Sequence, residues 1–581
     1  MPLNTRQRRS AGRYGLTRGL RRRLTSYGDE EFSLFLRKAF IKAMGYSDDA
    51  LDRPIVGIAN TYSDYNPCHG NVPQLIEAAK RGVMLAGGMP MVFPTISIHE
   101  SFAAPTSMFL RNLMAMETEE MVRAQPMDSV ILIGGCDKTI PAQMMAAASS
   151  EVPAIILPTG PMETGHHRGE RLGACTDCRR IWGQHRAGAI DGEEIGEING
   201  RLVSSVGTCT VMGTASTMAC LVEAMGLALP MSGSAPATSA ERVRIAEETG
   251  RAAVAMAHDG LTTAEVLTPS ALRNGLAVLQ ALGGSTNAVV HLAAVYGRLG
   301  SKLDLAELDK LGREVPVLVD LKPSGVAYMG EFHAAGGVPR LLSEIADMVD
   351  LSTPRAFGGT IGDAVTRLPA RHEDRIIRRL DNPVSQAGAI AVLSGNLAPR
   401  GAVIKHSAAS PALQVHEGRA VVFDSVEDMT LRLDDDQTLA IAADDVLVLR
   451  NAGPKGAPGM PEAGYIPIPR HLARQGVKDM VRISDARMSG TAFGTVILHV
   501  TPEAADGGPL AAVRTGDRIR LDVPNRRIEV LLPPEELAAR MSALEPLPPT
   551  ERRGYARLYH EHVLQADDGA DFDFLQDGAD G

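Results

Sequence analysis

Three cysteines stand in settings that suit metal chemistry. Cys68 lies in NPCHG, Cys136 in GGCDKT and Cys209 in GTCTVMGTAST. Any one of them alone reads as a small buried hydrophobe. Gly, Pro, His or Asp stands close to each, which favours loops over core. Loops at the carboxyl edge of a parallel sheet can gather residues far apart in sequence. Three thiolates gathered there could hold an iron–sulfur cluster. A two-iron cluster normally takes four thiolates, so three leave one iron open to bind a substrate oxygen as a Lewis acid. Cys175 and Cys178 form a CxxC in ACTDC, a spacing used for zinc binding or thiol exchange. With no second CxxC or His pair at zinc-finger spacing, a non-ligand role is expected for both. Cys220, inside STMACLVEAMG, reads as core.

Acidic residues fall in the same stretches. Glu100 ends SIHE, Asp137 and Lys138 follow Cys136 directly, and Glu462 closes the loop GPKGAPGMPE. Hard oxygen donors from three loops suit Mg²⁺, although a solvated surface acid is the usual fate of Asp and Glu. GPKGAPG is not a phosphate loop, because the spacing before Lys differs and no Ser or Thr follows it. Ser489 sits in the polar turn of VRISDARMSGTAFG, where a serine can serve as a cap. It is not in a G-x-S-x-G elbow, so hydrolase chemistry has no local support. His99 and Thr491, beside Glu100 and Ser489, are expected to contact substrate.

These residues need elements to hold them. RPIVGIAN, MVFPTISIHE, DSVILIGG and VPAIILPTG read as strands, with helices expected over 29–50, from about Pro73, over 105–124 and in PAQMMAAASS. Alternation of this kind predicts a parallel sheet with covering helices. Residues 210–310 read as mostly helical. From about 385 the pattern changes to short strands, VVFDSV, LRLDDDQ, DVLVLRN, TVILHV, DRIRLDV and RRIEVLL, which predict a β-barrel-like domain. The expected division is a basic arm over 1–28, an α/β domain over 29–384 and a β-rich domain over 385–581 carrying Ser489. The last segment, ADDGADFDFLQDGADG, is expected to be a surface tail with Phe anchors.

Composition narrows the function classes. The chain has 581 residues, too many for one core, and a net charge of −10, which gives no attraction to nucleic acid or anionic membrane. Eight Arg and no acid occupy the first 23 residues; a solvated tail or subunit-bridging arm is expected. No apolar stretch of membrane-spanning length is visible, and six cysteines in so long a chain suggest a reduced, cytoplasmic setting.

Taken together, NPCHGNVP, PTISIHESF, GGCDKTIPAQ, GTCTVMGTASTMA, ALGGSTNAVVH, NAGPKGAPGMPE and SDARMSGTAFG resemble the family of dihydroxy-acid, sugar-acid (aldonate) and 6-phosphogluconate dehydratases, from about residue 25 to the end. The resemblance implies an α/β domain followed by a β-barrel-like domain, in homodimers or homotetramers. It implies Cys68, Cys136 and Cys209 as ligands of a [2Fe-2S] cluster, and Glu100, Asp137 and Glu462 as Mg²⁺ ligands. It also implies Lys138 as a lysine that can be carboxylated to add a ligand, and Ser489 as proton acceptor. Branched-chain members usually have Asp where this chain has Glu100, and SIHES, ACTDCR and GTCTVMGTASTMA look like the sugar-acid branch. The expected activity is dehydration of a 2,3-dihydroxy carboxylic acid, an aldonate such as a pentonate, with 2,3-dihydroxy-isovalerate as a second candidate, to a 2-keto acid. The alternatives are a dedicated dihydroxy-acid dehydratase of branched-chain synthesis, a non-catalytic binding protein and a thiol oxidoreductase using Cys175 and Cys178.

Overall fold

The computed structural model describes residues 18–24, 27–366, 368, 375–435, 439–545 and 552–576. Four strands, β1 (Ile55–Asn60), β2 (Met89–Pro94), β3 (Ser129–Gly134) and β4 (Ala154–Pro158), form a sheet in the order β2-β1-β3-β4, all parallel. β3 and β4 are buried along their whole length. That is why they read as unbroken apolar runs rather than as an alternation: helices cover both faces. A small hairpin of β5 (Gly165–His167) and β6 (Glu170–Leu172) follows. The helices that matter for the site are α1 (Glu30–Ala43), α2 (Val72–Leu85), α3 (Arg111–Ala124), α4 (Thr139–Ser149), α5 (Thr176–Arg186), α6 (Thr214–Ala224) and α7 (Asn287–Arg298).

The second half closes an eight-stranded barrel from β7 (Ala391–Gly395), β8 (Ala398–Ile404), β9 (Val415–Phe423), β10 (Val446–Leu449), β11 (Val481–Ser484), β12 (Val496–Thr501), β13 (Arg518–Asp522) and β14 (Arg527–Val530). Its order is β10-β11-β12-β8-β7-β14-β13-β9, and β9, β10, β11 and β12 run parallel to one another. Ile404, Val448, Ile483, Ile497, Ile519 and Ile528 fill it. The α/β-plus-barrel architecture expected from the pattern is therefore present.

Local readings differ in four places. LRLDDDQ is not a strand: Val426–Arg432 is a helix whose start is capped by Ser425 accepting from the Asp428 N–H, with Asp428 paired to Arg432 one turn on. Residues 436 and 437 of that stretch lie outside the described residues. β2 ends at Pro94, so Glu100 opens a short 3₁₀ turn rather than closing a strand. Most of the basic arm lies outside the described residues, but its end packs on the chain's own sheet. Leu20 is buried, the Gly19 N–H donates to Asp128, and Arg18 contacts His258.

The acidic C-terminus is the fourth. Helix α8 (Gly554–His562) and the segment to Gln576 return to the first half of the chain. Tyr559 packs on Phe109 with ring centroids 4.9 Å apart, and Arg111 donates to the carbonyls of Gly569 and Ala570. Phe572 is an anchor as expected, yet fully buried, and Asp571 beside it is no surface acid. It takes the Arg298 guanidinium at 2.6 Å, while Glu119 takes the same group at 3.1 Å. No helix among the described residues is long and apolar enough to cross a membrane.

Removing the cation would strand the buried Asp571 carboxylate, at a cost of about 3–5 kcal/mol, while Glu119 keeps its pair with Arg123 at 2.8 Å. Arg298→Met is expected to lower the thermal midpoint by several degrees; an unchanged midpoint contradicts this.

Candidate active site

The loops that leave the carboxyl ends of β1, β2 and β3 carry Cys68, then His99 and Glu100, then Cys136, Asp137 and Lys138. Cys209 precedes α6 and is drawn to the same edge by backbone pairing: Thr208 N–H donates to the Gly160 carbonyl, and Met162 N–H to the Thr208 carbonyl. The barrel contributes the loops after β10 and β11, which carry Glu462 and Ser489. The two sets of parallel strands thus direct their carboxyl ends at one another. Between them lies a cavity of about 880 Å³, lined by Cys68, Cys136, Cys209, His99, Glu100, Asp137, Glu462 and Ser489 among others.

On one side sit the thiols. Ligand atoms of Cys68, Cys136 and His99 all lie within 4.8 Å of one another. Cys209 lies beside them, with its Sγ 3.0 Å from the Sγ of Cys175. All six cysteines are free thiols. A hydrogen bond with Cys136, together with burial, pushes the Cys68 thiol well above its ordinary value. Iron binding there would have to displace protons. The Cys136 loop is clamped by His69. Burial pushes this histidine down to about 4, so the ring is neutral. Its Nδ1–H donates to the Thr61 carbonyl at 2.8 Å, and Nε2 accepts from the N–H groups of Gly135 and Cys136 at 3.0 and 3.1 Å.

On the other side sit the carboxylates. The Lys138 ammonium, almost fully buried, is 3.1 Å from Glu100, 3.6 Å from Asp137 and 3.9 Å from Glu462. Arg487, also buried, reaches Glu462 at 2.5 Å and Glu100 at 3.1 Å. Burial opposes ionisation of Glu100, but Lys138 and Arg487, with hydrogen bonds from Ser107 and Thr106, hold it well below the usual carboxylate range. The loop carrying Glu462 is shaped from beneath by two further buried acids. Glu503 accepts the N–H groups of Lys455 and Gly456, and Asp485 those of Asn451 and Ala452.

Ser489 lines the same cavity. Its Oγ is 2.7 Å from Thr491 Oγ1 and accepts the Thr491 N–H at 3.4 Å. The turn is pressed against the first domain. A Cβ on Gly490 would lie 2.4 Å from Ser285 Oγ, so only glycine fits, and the Thr491 carbonyl accepts from Thr176 at the start of α5 at 2.9 Å. Behind it, buried Lys405 donates to the Gly490 carbonyl at 3.3 Å.

Two family models cover the chain: dihydroxy-acid/6-phosphogluconate dehydratase N-terminal over residues 53–364, and the C-terminal model over 375–570. The chain belongs to this dehydratase family. The dehydratase is 45% identical to a 6-deoxy-6-sulfo-D-gluconate dehydratase of Pseudomonas putida, over 91% of this chain and 92% of that protein. It is 45% identical to an L-arabinonate dehydratase of Rhizobium leguminosarum, over 95% of both chains. A dihydroxy-acid dehydratase of Acetivibrio thermocellus is 37% identical over 92% of this chain and 96% of its own.

Every candidate ligand, base and substrate contact named from the sequence lines or adjoins this one cavity. Three more were not singled out. Arg487 lies inside the SDARMSG motif, where a buried arginine two residues before the serine could have been noticed. His69 follows Cys68 directly. Lys405 carries no local signal. Cys175 and Cys178, for which a non-ligand role was expected, line the same cavity.

Burial pushes Lys405 down to about 7 from an ordinary 10.5. Between those values the unfolded dehydratase holds a proton that the folded one lacks. Stability therefore rises with pH across that window, and the full penalty stands below pH 7. Lys405→Met is expected to gain most over wild type near pH 6 and progressively less toward pH 10. Thermal midpoints across that range check it, and a constant difference contradicts it.

Proposed function

We propose that the protein is a sugar-acid dehydratase, which removes water from an aldonate-type 2,3-dihydroxy carboxylic acid to give a 2-keto acid. One observation carries the reading: thiols, carboxylates and a buried serine from distant loops share a single cavity. The sugar-acid dehydratases among the relatives stand at 45% identity and the dihydroxy-acid dehydratase at 37%, which favours aldonates over branched dihydroxy acids.

The donor chemistry fits two groups. Cys68, Cys136 and Cys209, free and clustered, would hold a [2Fe-2S] cluster. Glu100, Asp137 and Glu462 would hold Mg²⁺, whose preference is for hard oxygen donors. Lys138 Nζ is buried without a well-formed hydrogen bond despite three acids around it. Addition of CO₂ to the deprotonated amine, with release of a proton, would give a carbamate whose oxygens suit the same ion. When bound, the magnesium ion supplies Lewis acidity that acidifies the C2 proton, and the cluster supplies Lewis acidity for departure of the C3 hydroxyl.

The chain's own residues do the rest. Ser489 Oγ takes the C2 proton. A free serine hydroxyl is far too weak a base for this, so the anionic oxygen needs stabilising. The Thr491 hydroxyl and N–H both address it, and the positive charge of Arg487 stands among the carboxylates of the same site. His99, between the thiols and Glu100, and Thr491 contact the substrate. Arg179, stacked 4.8 Å from the Tyr465 ring centroid at the cavity wall, supplies further positive charge toward an anionic substrate. A homodimer or homotetramer, as the family resemblance implies, in the cytoplasm, as the sparse cysteines suggest, completes the reading.

Ser489→Ala is expected to lower keto-acid formation by about 10²–10⁴-fold while leaving iron and sulfide content unchanged; a fully active variant removes the serine from this role. On L-arabinonate, D-xylonate, D-gluconate and 2,3-dihydroxy-isovalerate, with iron and sulfide measured on the same sample, at least one aldonate is expected to turn over faster than the branched acid. The reverse order would favour branched-chain synthesis, and an iron-free protein inactive on all four would sink the dehydratase reading.

A further inference from the structure

Most cations at the cavity wall already have partners. Arg487 is held by Glu462 and Glu100, Arg180 by Asp177 at 3.1 Å and Glu170 at 2.7 Å, and Arg186 by Asp434 at 3.1 Å. Lys478 is exposed, where a solvated ammonium is ordinary. Arg179 is different. Its place on α5 puts it in one row with Trp182, Gly183 and Arg186, three, four and seven residues on, and all of them line the cavity. No hydrogen bond to its guanidinium is present among the described residues, and its Nε is buried without a partner. The one acid within 4.0 Å is Glu462, with Nη2 at 3.9 Å from Oε2, too far for a hydrogen bond. Glu462 does not depend on this contact, because its other oxygen takes Arg487 at 2.5 Å. The guanidinium is nonetheless held in place, stacked over Tyr465 at 4.8 Å from the ring centroid. That ring is fixed in turn. Arg482 lies over it at 4.9 Å and donates to the Tyr465 carbonyl at 3.0 Å, and Phe493 meets it edge-on at 6.3 Å. A guanidinium ordered by stacking keeps its N–H groups free for a ligand, which a salt-bridged one does not.

We propose that Arg179 binds the C1 carboxylate of the aldonate through paired N–H bonds, and so orients C2 and C3 for the reaction. The inference rests on the functional reading above. Glu462 belongs to the acids that would hold Mg²⁺, so Arg179 addresses the carboxylate side of the cavity. An anion entering there gives up water and needs donors for its oxygens. A guanidinium offers two parallel N–H groups that match a carboxylate, and its charge strengthens both bonds. A neutral polyol of the same length would leave those donors unpaired in a desolvated place, which disfavours its binding. Arg179 comes from the first domain and its Tyr465 support from the barrel, so the grip on the substrate is assembled from both halves of the chain, as the acid cluster is.

The test compares anaerobically purified wild-type holoenzyme with Arg179→Met and Arg179→Lys, with iron, sulfide and the thermal midpoint measured on every sample. Keto-acid formation is followed on whichever of L-arabinonate, D-xylonate and D-gluconate the wild type turns over fastest, and separately against Mg²⁺ concentration. Arg179→Met is expected to raise KM for the aldonate at least about tenfold while kcat changes by less than about threefold. Its iron and sulfide content and the Mg²⁺ concentration for half activity are expected to stay at the wild-type values. Arg179→Lys keeps the charge and loses the fork, and is expected to raise KM by at least about threefold. An unchanged aldonate KM in Arg179→Met overturns the inference. So does a higher Mg²⁺ requirement at unchanged aldonate KM, which would make Arg179 a support for Glu462 instead. If Arg179→Met fails to fold or to load iron, the lysine variant decides, and a wild-type KM there overturns the inference. A loaded wild type that turns over none of the three aldonates sinks the functional reading with it, whereas an active wild type beside an indifferent variant sinks this inference alone.

Discussion

Three carboxylates from two halves of the chain, Glu100, Asp137 and Glu462, meet in one largely buried place. Burial disfavours every charged carboxylate, and proximity to its own kind disfavours it further. Their meeting is possible because Lys138 and Arg487 stand among them. Arg487 reaches an acid from each half, so the same ion pairs that neutralise the site also hold the barrel to the sheet. A hard divalent cation would make the same demand on these oxygens, with a larger charge at a shorter distance. The electrostatic condition that lets the two domains meet is therefore also the condition that makes the place fit for magnesium.

The rest of the architecture serves that meeting. Parallel strands in the sheet and in the barrel point their carboxyl ends at a shared cavity, so loops after β1, β2, β3, β10 and β11 all reach it. Each loop is fixed from behind by groups that do not enter the cavity. His69 holds the Cys136 loop through two backbone N–H bonds, Glu503 and Asp485 hold the Glu462 loop, and Gly490 lets the serine turn lie directly on Ser285. The buried Arg298–Asp571 pair and the Tyr559–Phe109 contact bring the C-terminal segment back onto the first domain, closing the arrangement at its far end.

Much of this was legible in the residues themselves. Cys68, Cys136, Glu100 and Asp137 sit just past apolar runs that could only be buried strands, and polar residues at such ends are placed at a sheet's carboxyl edge by topology alone. The parallel sheet and the barrel were legible for the same reason, since the period of apolar residues changes near 385. What was not legible depends on which loops meet. Arg487 is one more arginine until Glu100 arrives from 387 positions away. Cys175 belongs to a motif with several uses, and its contact with Cys209 appears only when the two loops meet. LRLDDDQ alternates like a strand, but a serine cap and an Asp428–Arg432 pair were enough to make a helix of its start. Asp571 looked like a solvent acid because its partner, Arg298, lies 273 residues earlier.

The central claim is that iron and a divalent cation lie side by side in the cavity between sheet and barrel. Anomalous diffraction at the iron edge from anaerobically grown crystals tests it most directly. The account predicts an iron peak within bonding distance of the sulfurs of Cys68, Cys136 and Cys209, with a separate non-anomalous ion held by Glu100, Asp137 and Glu462. Iron bound elsewhere, or crystals of active enzyme with no iron peak among these sulfurs, would contradict it.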